Sequence, residues 1–118
     1  MALFACKVGG AETVDYVGEG HKLTDVPASS GATKTVNRDY SVIVVSTSWM
    51  RGGQVGAGGI PTLNGTNGTL LSSGSSTSGS EYYGSTVYAL YNVKNGDTIG
   101  LTGTIVGSGM ARHWIGFD

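Results

Sequence analysis

Read as a pattern of apolar and polar positions, the chain is a succession of short alternating runs, with no stretch at helical spacing. No window of a dozen residues places apolar side chains three and four apart, and strong helix formers are scarce. Residues 3–8 (LFACKV) and 12–17 (ETVDYV) flank Gly9-Gly10 and predict two strands joined by a tight turn. Residues 38–49 (RDYSVIVVSTSW) predict a strand that is apolar on both faces, Ile43 and Val45 on one and Val42 and Val44 on the other, and so covered on both. Residues 81–93 (EYYGSTVYALYNV) predict another, with Val87, Ala89, Tyr91 and Val93 on one face and Tyr88, Leu90 and Asn92 on the other. Asn95-Gly96 then supplies the residue types of a two-residue hairpin turn. The next segment sets Ile99, Leu101 and Ile105 against Thr98, Thr102 and Thr104. The final RHWIGF predicts a last strand lying inside the sheet. The expectation is an all-β, antiparallel β-sandwich, jelly-roll-like, of about eight strands.

The middle breaks this regularity. Residues 51–80 are rich in glycine and serine, and only IPTL and TLL offer packing side chains. This reads as a long excursion, flexible unless a neighbour orders it. Neither flank is long enough for a core of its own, so residues 1–118 are expected to form a single domain with 51–80 as a loop region within it.

Composition narrows the function classes. Of 118 residues 21 are glycine and 2 proline, without a collagen period; charged residues are 13%, and the net charge is −1. That balance lacks the positive excess of a nucleic-acid binder. No apolar run reaches the roughly 20 residues that span a bilayer, and MALFACKVGG lacks the cationic start of a secretory signal, so neither membrane insertion nor a signal peptide is expected. The lone Cys6 excludes an internal disulfide framework and fits assembly inside a cell.

Candidate chemistry is sparse, and no catalytic, cofactor or metal residues are assigned. Glu19, His21 and Asp25 are close in sequence but match no metal spacing, and a polar loop explains them equally well. The serines of 72–80 have no nucleophile-elbow context, and GQVGAGG lacks the ending of a phosphate loop. Asn64 and Asn67 stand in two Asn-Gly-Thr triplets and are read as turn formers. The informative set is aromatic: Trp49, Tyr82, Tyr83, Tyr88, Tyr91 and Trp114, with Arg51, Arg112 and His113 nearby. Tyrosine and tryptophan bury large areas at low entropy cost, so this set serves the core, a subunit interface or a ligand. Trp49, Arg51, Tyr82, Tyr83, Arg112, His113 and Trp114 are the candidate interface or ligand-contact residues.

The closing third resembles the C1q/TNF-like jelly-roll family, through Val93, Lys94, Gly96, Asp97, Ile99 and Leu101 and then Trp114, Gly116 and Phe117. The resemblance implies a homotrimer with its C-terminal strand near the threefold axis. In overall character, small, neutral, cysteine-poor and glycine- and serine-rich, the chain is similar to bacteriophage virion components such as capsid decoration proteins, head fibres and tail-fibre tips. That likeness implies a non-enzymatic protein assembled in the host cytoplasm and carried on the virion. Its partners would be its own copies and other virion proteins, or, as a lectin-like module, a host-surface glycan.

Overall fold

The computed structural model describes residues 2–7, 14–52, 58–79, 81–105 and 110–118. Every regular element among them is a strand: β1 Ala2–Lys7, β2 Val14–Lys22, β3 Thr33–Thr35, β4 Tyr40–Gly52, β5 Gly58–Leu63, β6 Thr66–Asn67, β7 Thr69–Ser78, β8 Glu81–Val93, β9 Thr98–Ile105 and β10 Ala111–Phe117. They form two antiparallel sheets. The larger has the order β1-β2-β10-β4-β8-β7, the smaller β3-β9-β5-β6. The chain passes between sheets at six of its nine connections, with β2, β4, β8 and β10 in one and β3, β5, β6 and β9 in the other, which is the jelly-roll path. The described residues hold ten strands, where about eight are expected from the sequence. β10 lies between β2 and β4, so the last strand is interior to its sheet, as its mixed pattern predicts.

The core is built from one face of each sheet. Ile43, Val45, Leu90 and Trp114 of the larger sheet meet Ile99 and Leu101 of the smaller, with Val36, Tyr40 and Val93 closing one end. Full burial of side chains this size stabilises by roughly 1.5–3 kcal/mol each. At Gly84 a ring lies on the backbone. A Cβ at Gly84 would stand 2.3 Å from Cζ2 of Trp49, so the missing side chain is what lets the indole lie flat across β8.

The excursion at 51–80 is where expectation and structure differ most. Its described part is largely strand: β5, β6 and β7 all fall within it. β5 is a core strand with four of six residues buried, whereas β7 is exposed at all ten positions and is held by pairing along β8. An edge strand with no buried side chain leaves no hydrophobic period to read. Residues 18–22 likewise belong to β2 rather than to a polar loop. The Gly9-Gly10 turn and residues 53–57 of the glycine-rich stretch lie outside the described residues, although β1 and β2 do pair antiparallel as expected.

Asn95-Gly96 does not close a hairpin. β8 belongs to the larger sheet and β9 to the smaller, so the turn carries the chain across the sandwich. Only Gly96 of that pair has positive φ, at 94°. Asp97 N–H donates to Lys94 O at 2.9 Å, and Gly96 N–H donates to Val36 O at 2.8 Å, tying the turn to the end of β3. The two-residue turn with both φ angles positive occurs instead at Asn64 (50°) and Gly65 (82°), joining β5 to β6, where Leu63 faces Thr66.

Candidate functional site

Register decides which side chains of the larger sheet face outward. β4 pairs with β10 on one side and β8 on the other, with Trp114 opposite Val45 and Leu90 opposite Ile43 on the core side. The alternate positions therefore form the outer face. On β4 these are Val42, Val44, Ser46, Ser48 and Met50; on β10 they are Ala111, His113, Ile115 and Phe117; on β8 they are Tyr83, Ser85, Val87, Ala89 and Tyr91. Glu81, opposite Gly52 at the far end of β8, shares this face, and Lys22 of β2 lies opposite Ile115; the outward positions from Val42 to Met50 on β4 and their partners on β10 and β8 carry no Asp, Glu, Lys or Arg. Val42 lies between Phe117 and Tyr91, and Val44 between Ile115 and Ala89, so the lower half of the face is a continuous apolar patch. Tyr91 is 50% exposed and Val42, Val44 and Ile115 are half-buried, while Ala89 is 1% exposed.

The expected contact residues separate into three groups. Trp49 and Trp114 are 7% and 1% exposed, so both indoles are core and neither offers a ring to a partner. The indole Nε1 of Trp114 has no hydrogen-bond partner, which marks that residue as a packing element. His113 and Tyr83 lie exposed on the outer face, His113 opposite Ser46 and Tyr83 opposite Met50. Tyr82 is half-buried on the other face, with Arg51 opposite it in register; the Arg51 side chain lies outside the described residues.

Arg112 bridges the two sheets. Its Nε donates to Thr47 Oγ1 at 3.1 Å, and its guanidinium also reaches the carbonyl oxygen of Gly58 at the start of β5. Burial lowers its pKa from the usual arginine value, and its recorded partners are neutral groups.

Polar side chains cluster at the opposite end of the sandwich. Asp118 pairs with Arg38 and lies 3.4 Å from His21 Nε2, while the Arg38 guanidinium carbon stands 4.9 Å above the Tyr40 ring. Asp97 accepts from Lys94 N–H at 2.8 Å, and this bond, with a second from the Asn64 side chain, holds its carboxyl below the usual carboxylate range. Among the described residues no group of three His, Cys, Asp or Glu side chains is placed to hold a metal ion.

A groove of about 330 Å³ runs beside Tyr91, between the β5–β6 turn and β8, with Asn64, Thr66, Asn67 and Thr69 on its rim and Leu63 and Leu90 beneath. Sequence reasoning placed Tyr91 in the aromatic set but not among the contact candidates. The signal it did carry was the apolar outer face of β4, Val42 and Val44, which demands cover.

Comparison with family models, with curated proteins and with solved structures returns no match to this chain.

Proposed function

We propose that this chain is a non-enzymatic structural protein of a bacteriophage virion, a capsid decoration or a head or tail appendage component, that works by docking and by presenting a surface. We propose further that it is a C1q/TNF-like jelly roll and assembles as a homotrimer. The observation that carries the docking reading is the apolar stretch of the outer face around Val42 and Val44, between Phe117 and Ile115 of β10 and Tyr91 of β8. A solvent-facing sheet ordinarily alternates apolar-in with polar-out. Loss of charge around aromatic and aliphatic residues is the composition of an interface core. Strand order in the two sheets supports the jelly-roll part of this reading, and the small, neutral, glycine- and serine-rich composition supports the virion setting.

Light scattering on a sizing column tests the assembly. Three times 12.0 kDa is expected for the wild type and 12.0 kDa for Ile115→Glu, which sets a charge in the patch. A monomeric wild type would remove the trimer. Recovery of the chain with purified phage particles on a density gradient tests the setting.

A second reading, a carbohydrate-binding module, is favoured by the exposed rings of Tyr83 and Tyr91 and by the groove beside Tyr91, where amide and hydroxyl groups border an apolar floor. A glycan-array signal lost in Tyr91→Ala or Tyr83→Ala would support it; a blank array would end it.

A further inference from the structure

The apolar outer face is one way for copies of this chain to meet; the free edge of the larger sheet is another. β7 is the last strand of that sheet, and among the described residues it is hydrogen-bonded to β8 alone. A strand in that position turns every second N–H and C=O away from its sheet, and such a row is a template for another strand. Proteins ordinarily blunt it with lysine, proline, inward charges or a short edge. β7 has none of these: its ten residues, TLLSSGSSTS, include no Lys, Arg, Asp, Glu or Pro, and all ten are exposed. Its one irregularity lies between Leu70 and Ser72. From Ser72 opposite Val87 to Ser78 opposite Glu81 the register is regular.

The chemistry of β7 selects its occupant. Six of the seven residues from 72 to 78 are Ser or Thr and the seventh is Gly74. Small side chains leave the strand edge open to close approach on both faces. Two such strands side by side bring no like charges together, and their hydroxyls can pair across the ladder. The other edge strand of the same sheet, β1, has six residues, is irregular between Cys6 and Lys7, and carries the lysine that blunts an edge. Pairing of β7 with itself closes about a twofold axis, whereas pairing of β7 with β1 would be open-ended.

We infer that β7 is a docking edge for β7 of a second copy, antiparallel, so that two larger sheets join into one continuous sheet. The straight segment 72–78 overlaps its copy completely only when the twofold axis passes beside its midpoint, Ser75. That register sets Ser75 opposite itself and Ser72 opposite Ser78 of the other copy. The edge lies on a different surface from the β4–β10 patch, so it can join trimers to one another without competing with the trimer contact.

The test is cysteine cross-linking of the full chain in a Cys6→Ala background, with diamide as oxidant. Facing residues of an antiparallel pair have Cα atoms about 4.5–5.5 Å apart, within the roughly 4.4–6.8 Å that a disulfide spans. Ser75→Cys is expected to cross-link to itself at least tenfold faster than Ser72→Cys or Ser78→Cys alone, and the last two are expected to cross-link with each other when mixed. Equal rates at all three positions would report random collision and overturn the inference. Adding Ile115→Glu to Ser75→Cys separates this contact from the trimer. Cross-linking that persists in the doubly substituted chain supports the edge, and cross-linking that disappears overturns it. Ser73→Pro, which blocks strand addition at an exposed position, is expected to abolish the Ser75→Cys cross-link while the far-ultraviolet circular dichroism stays that of the wild type.

Discussion

The ring of Tyr40 lies on the backbone of Gly116: a Cβ built on that glycine would stand 2.4 Å from both Cδ1 and Cε1 of the tyrosine. No real side-chain atom occupies such a position, and Tyr40 is 7% exposed with core on its other side. Gly116→Ala therefore forces the ring or β10 to move, at a cost of about 1–3 kcal/mol. The urea midpoint is expected to fall accordingly. Most of that loss should be recovered in a Tyr40→Leu background, where the ring is absent; additive losses in the double variant would show that the two residues are not coupled.

Asn92 sits within β8 with φ at 53°, a left-handed conformation that asparagine tolerates and β-branched residues do not. Asn92→Gly is expected to leave stability unchanged or raise it slightly, and Asn92→Val to cost about 1–3 kcal/mol. Thermal unfolding of the two variants checks this, and equal midpoints would refute it.

Asp97 links stability to acid. The Lys94 N–H and the Asn64 side chain hold its carboxyl below the ordinary value of 3.8. The unfolded chain thus takes up this proton more readily than the folded chain. The stabilisation is complete above about pH 4 and is lost as the pH falls through the lower, folded value. Asp97→Asn is expected to flatten this part of the acid limb in urea midpoints measured between pH 2 and pH 6. An unchanged limb would count against the assignment.

Arg112 holds the far end of the sandwich by reaching from β10 to Thr47 and across to Gly58. Its loss in Arg112→Ala is expected to cost about 1.5–3 kcal/mol, the range for hydrogen bonds from a charged donor. Amide exchange in β5 should quicken more than exchange in β9. Uniform quickening would indicate global destabilisation instead.

How much of this was readable beforehand differs strand by strand. β4, β9 and β10 announce themselves because each places apolar residues on a buried face at a period of two, and burial imposes that period. Val42 and Val44 likewise signalled an outer face needing cover. β7 carries no such signal, since an edge strand exposed on every residue is held by backbone pairing, to which any small residue is suited. In β8 the expected face of Val87, Ala89, Tyr91 and Val93 is interrupted. Asn92 at positive φ shifts the alternation, so Val93 turns into the core at 0% exposure while Tyr91 stays outside. The two tryptophans could equally have served core or surface, because an indole suits both.

By itself the sequence determined the all-β class, the positions of the strongly alternating strands and the need to cover Val42 and Val44, since all three follow from where apolar side chains recur. Tertiary structure alone decided that Asn95-Gly96 crosses between sheets while Asn64-Gly65 closes a hairpin. Both pairs suit a tight turn, and what separates them is the partner of the following strand: β9 lies against β3 and β5, with Ile99 and Leu101 facing Ile43 and Leu90 across the core. A turn directs the chain only locally, and burial of the strand that follows settles which sheet receives it.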